Sequence, residues 1–142
     1  MGTDMTTFIE IWDDNDKEWR FLMKTVAMRS YATFGRIGGV REDLYGNEEF
    51  HNRGLPKNMS PELERKLAKD EYYHSVTYYS GKDLMDKVIG FVIKDEDFGD
   101  FTISFDIIMG DYECTGAWDI MMKALLDKLG PTNVRFTFAF DS

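Results

Sequence analysis

Arginine is the residue type in this chain that points most directly to chemistry. Five of the seven, Arg20, Arg29, Arg36, Arg41 and Arg53, precede residue 60, and residues 25–41 carry three of them with no acidic side chain. The planar guanidinium suits bidentate contact with carboxylate or phosphate. Arg29 and Arg36, seven residues apart, share one face of an expected helix and mark a candidate anion-binding patch; the plainer alternative is that these arginines pair with the chain's many carboxylates. His74-Ser75 combines the residue types of acid–base and nucleophilic work. No G-x-S-x-G elbow surrounds Ser75, however, and an ordinary hydrogen-bonded role stands beside ligand contact and catalysis. Tyr72, Tyr73, Tyr78 and Tyr79 crowd the same strand, and a period of two cannot bury them all. One or two are expected to be exposed or to line a groove, where an aromatic face can stack on a base or anchor a protein interface, unless they only cover a sheet rim. The candidate ligand-binding set is Arg29, Tyr31, Arg36, Arg41, Arg53, His74, Ser75 and Tyr79, with a small anion such as a nucleotide as its ligand class.

Other patterns do not rise to sites. Cys114 precedes Thr115 at an expected helix start, a place that lowers a thiol pKa; a pair with His51 or His74 is conceivable, but an inert lone cysteine is commoner. Asp95-Glu96-Asp97 with Asp100 lacks the offsets of a calcium loop and reads as a solvated acidic turn. Asp97-Phe98-Gly99 has no companion kinase motif. Neither a P-loop nor a dinucleotide fingerprint is present. No catalytic residue, metal or cofactor is assigned.

The elements that must position these residues follow from periodicity. Phe8–Trp12 and Trp19–Met23 are β-rich runs around the turn formers Asp13-Asp14-Asn15-Asp16, a hairpin pattern. Residues 26–40 shift to helical spacing through Ala27, Tyr31 and Phe34, and Gly38-Gly39 ends them; Gly35 allows close approach of another element. Residues 42–59 form a long loop, a length that is often functional or mobile. Ser60-Pro61-Glu62 then starts a polar helix running to about Lys69. His74–Tyr79 is a strand, with Val76 and Tyr78 on one face and Ser75, Thr77 and Tyr79 on the other. Ser80 caps a helix carrying Leu84, Met85 and Val88, and 90–93 either continues it or forms a short strand. Phe101, Ile103, Phe105, Ile107 and Met109 alternate with Thr102, Ser104 and Asp106 as a strand with one buried face. Trp118, Met121, Met122, Leu125, Leu126 and Leu129 form a core-facing helix stripe, stopped by Gly130-Pro131. The last strand places Val134, Phe136, Phe138 and Phe140 on one face and Arg135, Thr137 and Asp141 on the other. The fold class is α+β: one domain over 1–142, with a mostly antiparallel sheet of four or five strands and helices packed on one face. Residues 1–5 hold two methionines and are read as a disordered or extraneous tail without a role.

Composition bounds the function. The 142 residues are 43% hydrophobic and 15% aromatic, too apolar for a disordered chain and long enough to bury roughly 68% of the unfolded surface. One cysteine excludes a disulfide framework and a cysteine-based zinc module. No run approaches the ~18 apolar residues of a membrane helix, and no signal peptide is evident, so a reducing cytosol is expected. The net charge of −9 argues against general nucleic-acid binding. It is uneven: residues 1–60 hold 8 basic and 10 acidic side chains, and residues 61–142 hold 9 and 16.

Four blocks resemble a family of small, mostly uncharacterised proteins of tailed bacteriophages and prophages. They are Arg29-Ser30-Tyr31 to Gly39-Val40-Arg41, which fits R-x-Y-x-x-F-x-x-x-x-G-V-R; Arg53-Gly54-Leu55-Pro56 leading to Ser60-Pro61-Glu62; His74-Ser75 through Asp83-Leu84; and Asn133-Val134-Arg135 to Phe140-Asp141. Relatives often double the His-Ser of the third block, whereas this chain has it once, which argues against metal or two-histidine chemistry. The resemblance implies a phage-encoded accessory protein in the cytoplasm of an infected bacterium. The expected role is to bind and block or sequester a host component, as in counter-defence, through an acidic nucleic-acid-mimicking surface or a small nucleotide pocket. The alternatives are a small nucleotide-directed hydrolase using His74 and a phage structural or assembly factor. No membrane partner is expected, and a homo-oligomer stays open.

Overall fold

Asp13 closes the first turn itself: its carboxylate accepts hydrogen bonds from the backbone of Asn15 at 2.9 Å and Asp16 at 3.2 Å. The strands on either side, β1 (Asp4–Asp13) and β2 (Glu18–Val26), pair antiparallel with Trp12 opposite Trp19. They are longer than the β-rich runs alone suggest. The structure is a computed structural model and describes residues 2–97 and 99–142; Met1 of the expected tail and Phe98 of the Asp97-Phe98-Gly99 triplet lie outside them. The chain continues through α1 (Tyr31–Gly38), α2 (Pro61–Lys69), β3 (His74–Ser80), α3 (Gly81–Lys87), β4 (Val92–Ile93), β5 (Phe101–Thr102), α4 (Phe105–Met109), α5 (Ala117–Leu129) and β6 (Val134–Asp141). The main sheet is fully antiparallel in the order β2-β1-β6-β3, and β4 and β5 form a separate pair. This is the expected α+β domain.

One face of the sheet holds the main core. Met5, Ile9, Tyr79, Phe136, Phe138 and Phe140 meet Phe34 and Ile37 of α1, Leu84 of α3, Phe105 and Ile108 of α4, and Met122 and Leu126 of α5. Fully burying each large apolar side chain contributes roughly 1.5–3 kcal/mol. Gly38 lets α1 lie directly on Phe140, since a Cβ there would sit 2.7 Å from the ring. Gly35 makes the close approach its position suggests, with a Cβ falling 2.3 Å from the Glu42 carbonyl oxygen.

The other face is covered by α2, whose buried Leu63 packs with Phe8 and Ala139. This second layer corrects the expectation that the helices pack on one face only. Arg135 and Thr137 are buried along with the phenylalanines, because β6 is a central strand with a helix layer on each side. Arg135 is neutralised by the equally buried Glu10 of β1: its Nε and Nη2 donate to Glu10 Oε1 at 3.0 and 2.8 Å. Glu10 Oε2 accepts from the Ser60 backbone at 2.7 Å, and Arg135 Nη1 donates to the Lys57 carbonyl at 2.7 Å. The Arg135 guanidinium also lies 4.1 Å from the Trp19 ring centre. The ion pair therefore pins the loop before α2 to the sheet, and Ser60 caps the helix by accepting from the Leu63 backbone at 3.2 Å.

Three further readings are corrected. Residues 1–5 are not a loose tail where described: Asp4 and Met5 open β1, and Thr3 and Met5 are fully buried. The expected strand over 101–109 is only two residues long, and Phe105–Met109 is a helix whose every residue is buried. Its Asp106 carboxylate caps α5, accepting from the backbones of Gly116 at 2.7 Å, Trp118 at 3.0 Å and Asp119 at 3.2 Å. On α5 itself only Met122 and Leu126 are buried, while Met121 is 56% and Leu129 36% exposed. The buried stripe is narrower than the sequence pattern. Within residues 90–93, Val92–Ile93 form the short strand β4.

Candidate functional site

The eight candidate residues fall into two groups. The first gathers where β1 and β6 meet. Arg41 Nε donates to Thr3 Oγ1 at 2.6 Å, Thr3 Oγ1 lies 2.9 Å from Ser142 Oγ, and Ser142 Oγ lies 3.2 Å from His74 Nε2. His74 Nδ1 is 2.9 Å from Ser75 Oγ. The Arg41 guanidinium lies 4.9 Å from the Tyr31 ring centre, and the Tyr31 hydroxyl accepts from the Thr3 backbone at 3.3 Å. Arg29 belongs to this corner but is held by Asp4, at 3.1 Å through Nε and 2.9 Å through Nη2. Arg41, Tyr31, His74 and Ser75 thus share one continuous polar chain.

That chain does not assemble a nucleophile. Both imidazole nitrogens of His74 face hydroxyl groups. Among the described residues no Asp or Glu side chain bonds to His74 to orient it as a base, the third part of a Ser–His relay. Ser75 sits at φ 53°, a left-handed conformation that side-chain-bearing residues rarely adopt. It interrupts the pairing of β3 with β6 between His74 and Thr77. This bulge turns His74 outward, where it is exposed.

The second group is built into the fold. Arg36 donates from Nε to the Lys87 carbonyl at 2.9 Å and from Nη1 to the Tyr45 carbonyl at 2.6 Å, with its guanidinium 3.8 Å from the Phe91 ring centre. Arg53 donates to the Tyr78 carbonyl at 2.9 Å and stacks 4.0 Å from the Tyr78 ring centre. Tyr79 has no exposed surface, which removes it from any ligand-facing role. Its ring stacks on Phe50 at 4.7 Å, and its hydroxyl donates to the Ile37 carbonyl at 2.5 Å and accepts from Asn47 Nδ2 at 2.8 Å. Of the four clustered tyrosines it is Tyr72, 70% exposed, that stands out into solvent. Arg29 and Arg36 do not share the expected helix face: α1 begins at Tyr31, so Arg29 lies before it and pairs with Asp4, while Arg36 is engaged by backbone carbonyls.

Burial pushes the Tyr79 phenol well above its ordinary value of 10.0, with its hydrogen bond from Asn47 opposing the shift. A phenol whose folded pKa is raised contributes stability that is present below the unfolded value and lost as pH rises past it. Folding stability is therefore expected to fall above about pH 10. Tyr79→Phe should flatten that alkaline decline while costing about 1–2 kcal/mol at neutral pH through the lost hydrogen bonds. Urea unfolding of both proteins between pH 7 and 11 measures it, and an unchanged alkaline slope would sink the assignment.

One juxtaposition was visible in the sequence only as two separate runs. Residues 42–49 carry four carboxylates and no cation, and residues 94–100 carry four carboxylates and one lysine. The fold brings them together: Glu42 and Asp95 line one shallow depression of about 360 Å³ with Arg29, Tyr31 and Phe101. Tyr45 lies between them, its phenol held above the ordinary value first by burial and then by the charges of Glu42 and Asp95. Leu44, 82% exposed, projects from the first acidic loop. Lys94 is bound to Asp100 at 3.0 Å. A depression with two carboxylates in its wall disfavours a small anion there.

The fold and the site define a small α+β domain with an acidic loop surface and a hydroxyl–imidazole chain. No protein-family model, no curated protein and no solved structure matches the chain. Among the described residues no group of three or more His, Cys, Asp or Glu is placed to hold a metal ion, and no helix is long and apolar enough to cross a membrane.

Proposed function

We propose that this is a phage-encoded accessory protein that binds and blocks a basic host protein, without chemistry of its own, in the cytoplasm of the infected bacterium. The observation that carries the reading is the juxtaposition of the acidic loops 42–49 and 94–100. Such a surface steers association with a positive partner and competes with nucleic acid for it. Exposed Leu44 supplies an apolar contact within it, and the arginines that would favour an anionic ligand are engaged by Asp4 and by backbone carbonyls. The phage setting rests on the four sequence blocks. A second reading, a nucleotide hydrolase, draws on the 2.9 Å contact between His74 and Ser75.

Crosslinking mass spectrometry in bacterial lysate tests the first reading, using the protein and a variant combining Asp43→Asn, Glu48→Gln, Glu96→Gln and Asp97→Asn. Crosslinks from both acidic loops to one basic protein are expected, lost in the variant and weakened by salt. Crosslinks to phage virion proteins instead would point to an assembly factor. Turnover in a nucleotide panel that His74→Ala abolishes would overturn the binding-only reading.

A further inference from the structure

On the reverse face from the main core, the end of the loop leading to α2, α2 itself and β3 enclose a groove of about 470 Å³, within the range of small binding sites. Helix α2 commits Leu63 to the sheet. One turn on, Leu67 is only half-buried and, with Met59 and Val76, forms an apolar floor. Leu55 overhangs this floor and is 53% exposed. The wall is acidic: Glu64 and Glu71 line it, both exposed and neither in an ion pair among the described residues. Among the described residues no lysine or arginine lines the groove.

We infer that this groove is a docking slot for a short protein segment carrying an apolar anchor flanked by lysine or arginine. The charge complementarity is one-sided, since the unpaired carboxylates of the wall would meet cations beside the anchor. Recognition is by side chains and not by strand addition, although β3 is an edge strand. Its outer edge is already engaged by the Gly54 backbone, which donates to the Val76 carbonyl at 2.8 Å, and by Arg53 on the Tyr78 carbonyl. The groove lies apart from the acidic loops and does not depend on their function.

The probe is a fluorescein-labelled octapeptide, Gly-Arg-Arg-Leu-Leu-Arg-Arg-Gly, titrated by fluorescence anisotropy at physiological salt. Saturable binding is expected, weakened about tenfold or more by Leu55→Ser and by Glu71→Lys, both at exposed positions that leave the fold intact. The Asp43→Asn, Glu48→Gln, Glu96→Gln, Asp97→Asn protein should bind the peptide as the parent does. A peptide with serine in place of both leucines should lose binding. Absence of binding, equal binding by both groove variants, or equal binding of the serine peptide would each overturn the inference.

Discussion

Replacing Glu10 with alanine is expected to cost about 3–5 kcal/mol of folding stability, the penalty for removing one partner of a buried ion pair. Two groups lose their partner at once. The Arg135 guanidinium stays buried with only the Lys57 carbonyl and the Trp19 face. The Ser60 N–H, which Glu10 Oε2 accepts at 2.7 Å, is left without an acceptor beside the helix it caps. The loop before α2 is then held to the sheet by the Arg135–Lys57 contact without the Glu10–Ser60 one. Against a typical total of about 5–15 kcal/mol, the loss is severe, and urea unfolding at neutral pH reads it directly. The double variant Glu10→Ala, Arg135→Met should recover much of the loss, because an apolar replacement removes the stranded charge. A change under about 1 kcal/mol in the single variant would show that water solvates Arg135 and that the pair is not the anchor.

The second large effect is expected at Asp106. Asp106→Ala strands three backbone N–H groups at the start of α5, where the cap residue Gly116 has no side chain to replace them. Loss of the cap together with unsatisfied donors should cost about 2–4 kcal/mol. The damage should reach α4 as well, because Asp119 reciprocates by accepting from the Phe105 backbone at 3.2 Å. Asp106→Asn keeps one acceptor oxygen and should fall between the parent and alanine. Hydrogen exchange localises the effect: amides of 116–119 should lose protection before those of β6. Uniform loss across the chain would mean that Asp106 supports the whole fold and not this cap.

The parts of the fold legible in the sequence are those where local chemistry and tertiary context agree. Ser60-Pro61-Glu62 starts α2, Ser80 caps α3 by accepting from the Asp83 backbone at 3.0 Å, and Phe136, Phe138 and Phe140 share one core. The strand predicted over 101–109 failed because a helix buried on every side shows no polar face, so its sequence can also alternate by chance. Asp106 looked like a solvent-side residue of that strand, yet it is buried with its charge satisfied by the backbone N–H groups of Gly116, Trp118 and Asp119. Glu10 and Arg135 are charges inside largely apolar strands whose other charged residues, Asp4, Asp13 and Asp141, stand at the strand ends. Their isolation is a visible signal, but their pairing needs the register that places Glu10 opposite Arg135. Of the candidate site, the meeting of His74, Ser75, Arg41 and Tyr31 depends on Thr3 and Ser142, which no motif marks. Arg36 and Arg53 carried the right chemistry for oxygen ligands, but the oxygens they bind are backbone carbonyls.

The position of β6 in the sheet dictates the order in which the molecule can assemble. Its two neighbours, β1 and β3, are not paired with each other, so the sheet stays in two pieces until residues 134–141 have been made and inserted. The β1–β2 hairpin and the segment from α2 to β3 must wait with apolar faces uncovered during synthesis. Closing the β1–β6 ladder, where Asp4 pairs with Asp141, joins parts of the chain far apart in sequence and carries the high contact order that slows folding. Nascent chains halted before β6 would be the species most exposed to aggregation and to chaperone capture.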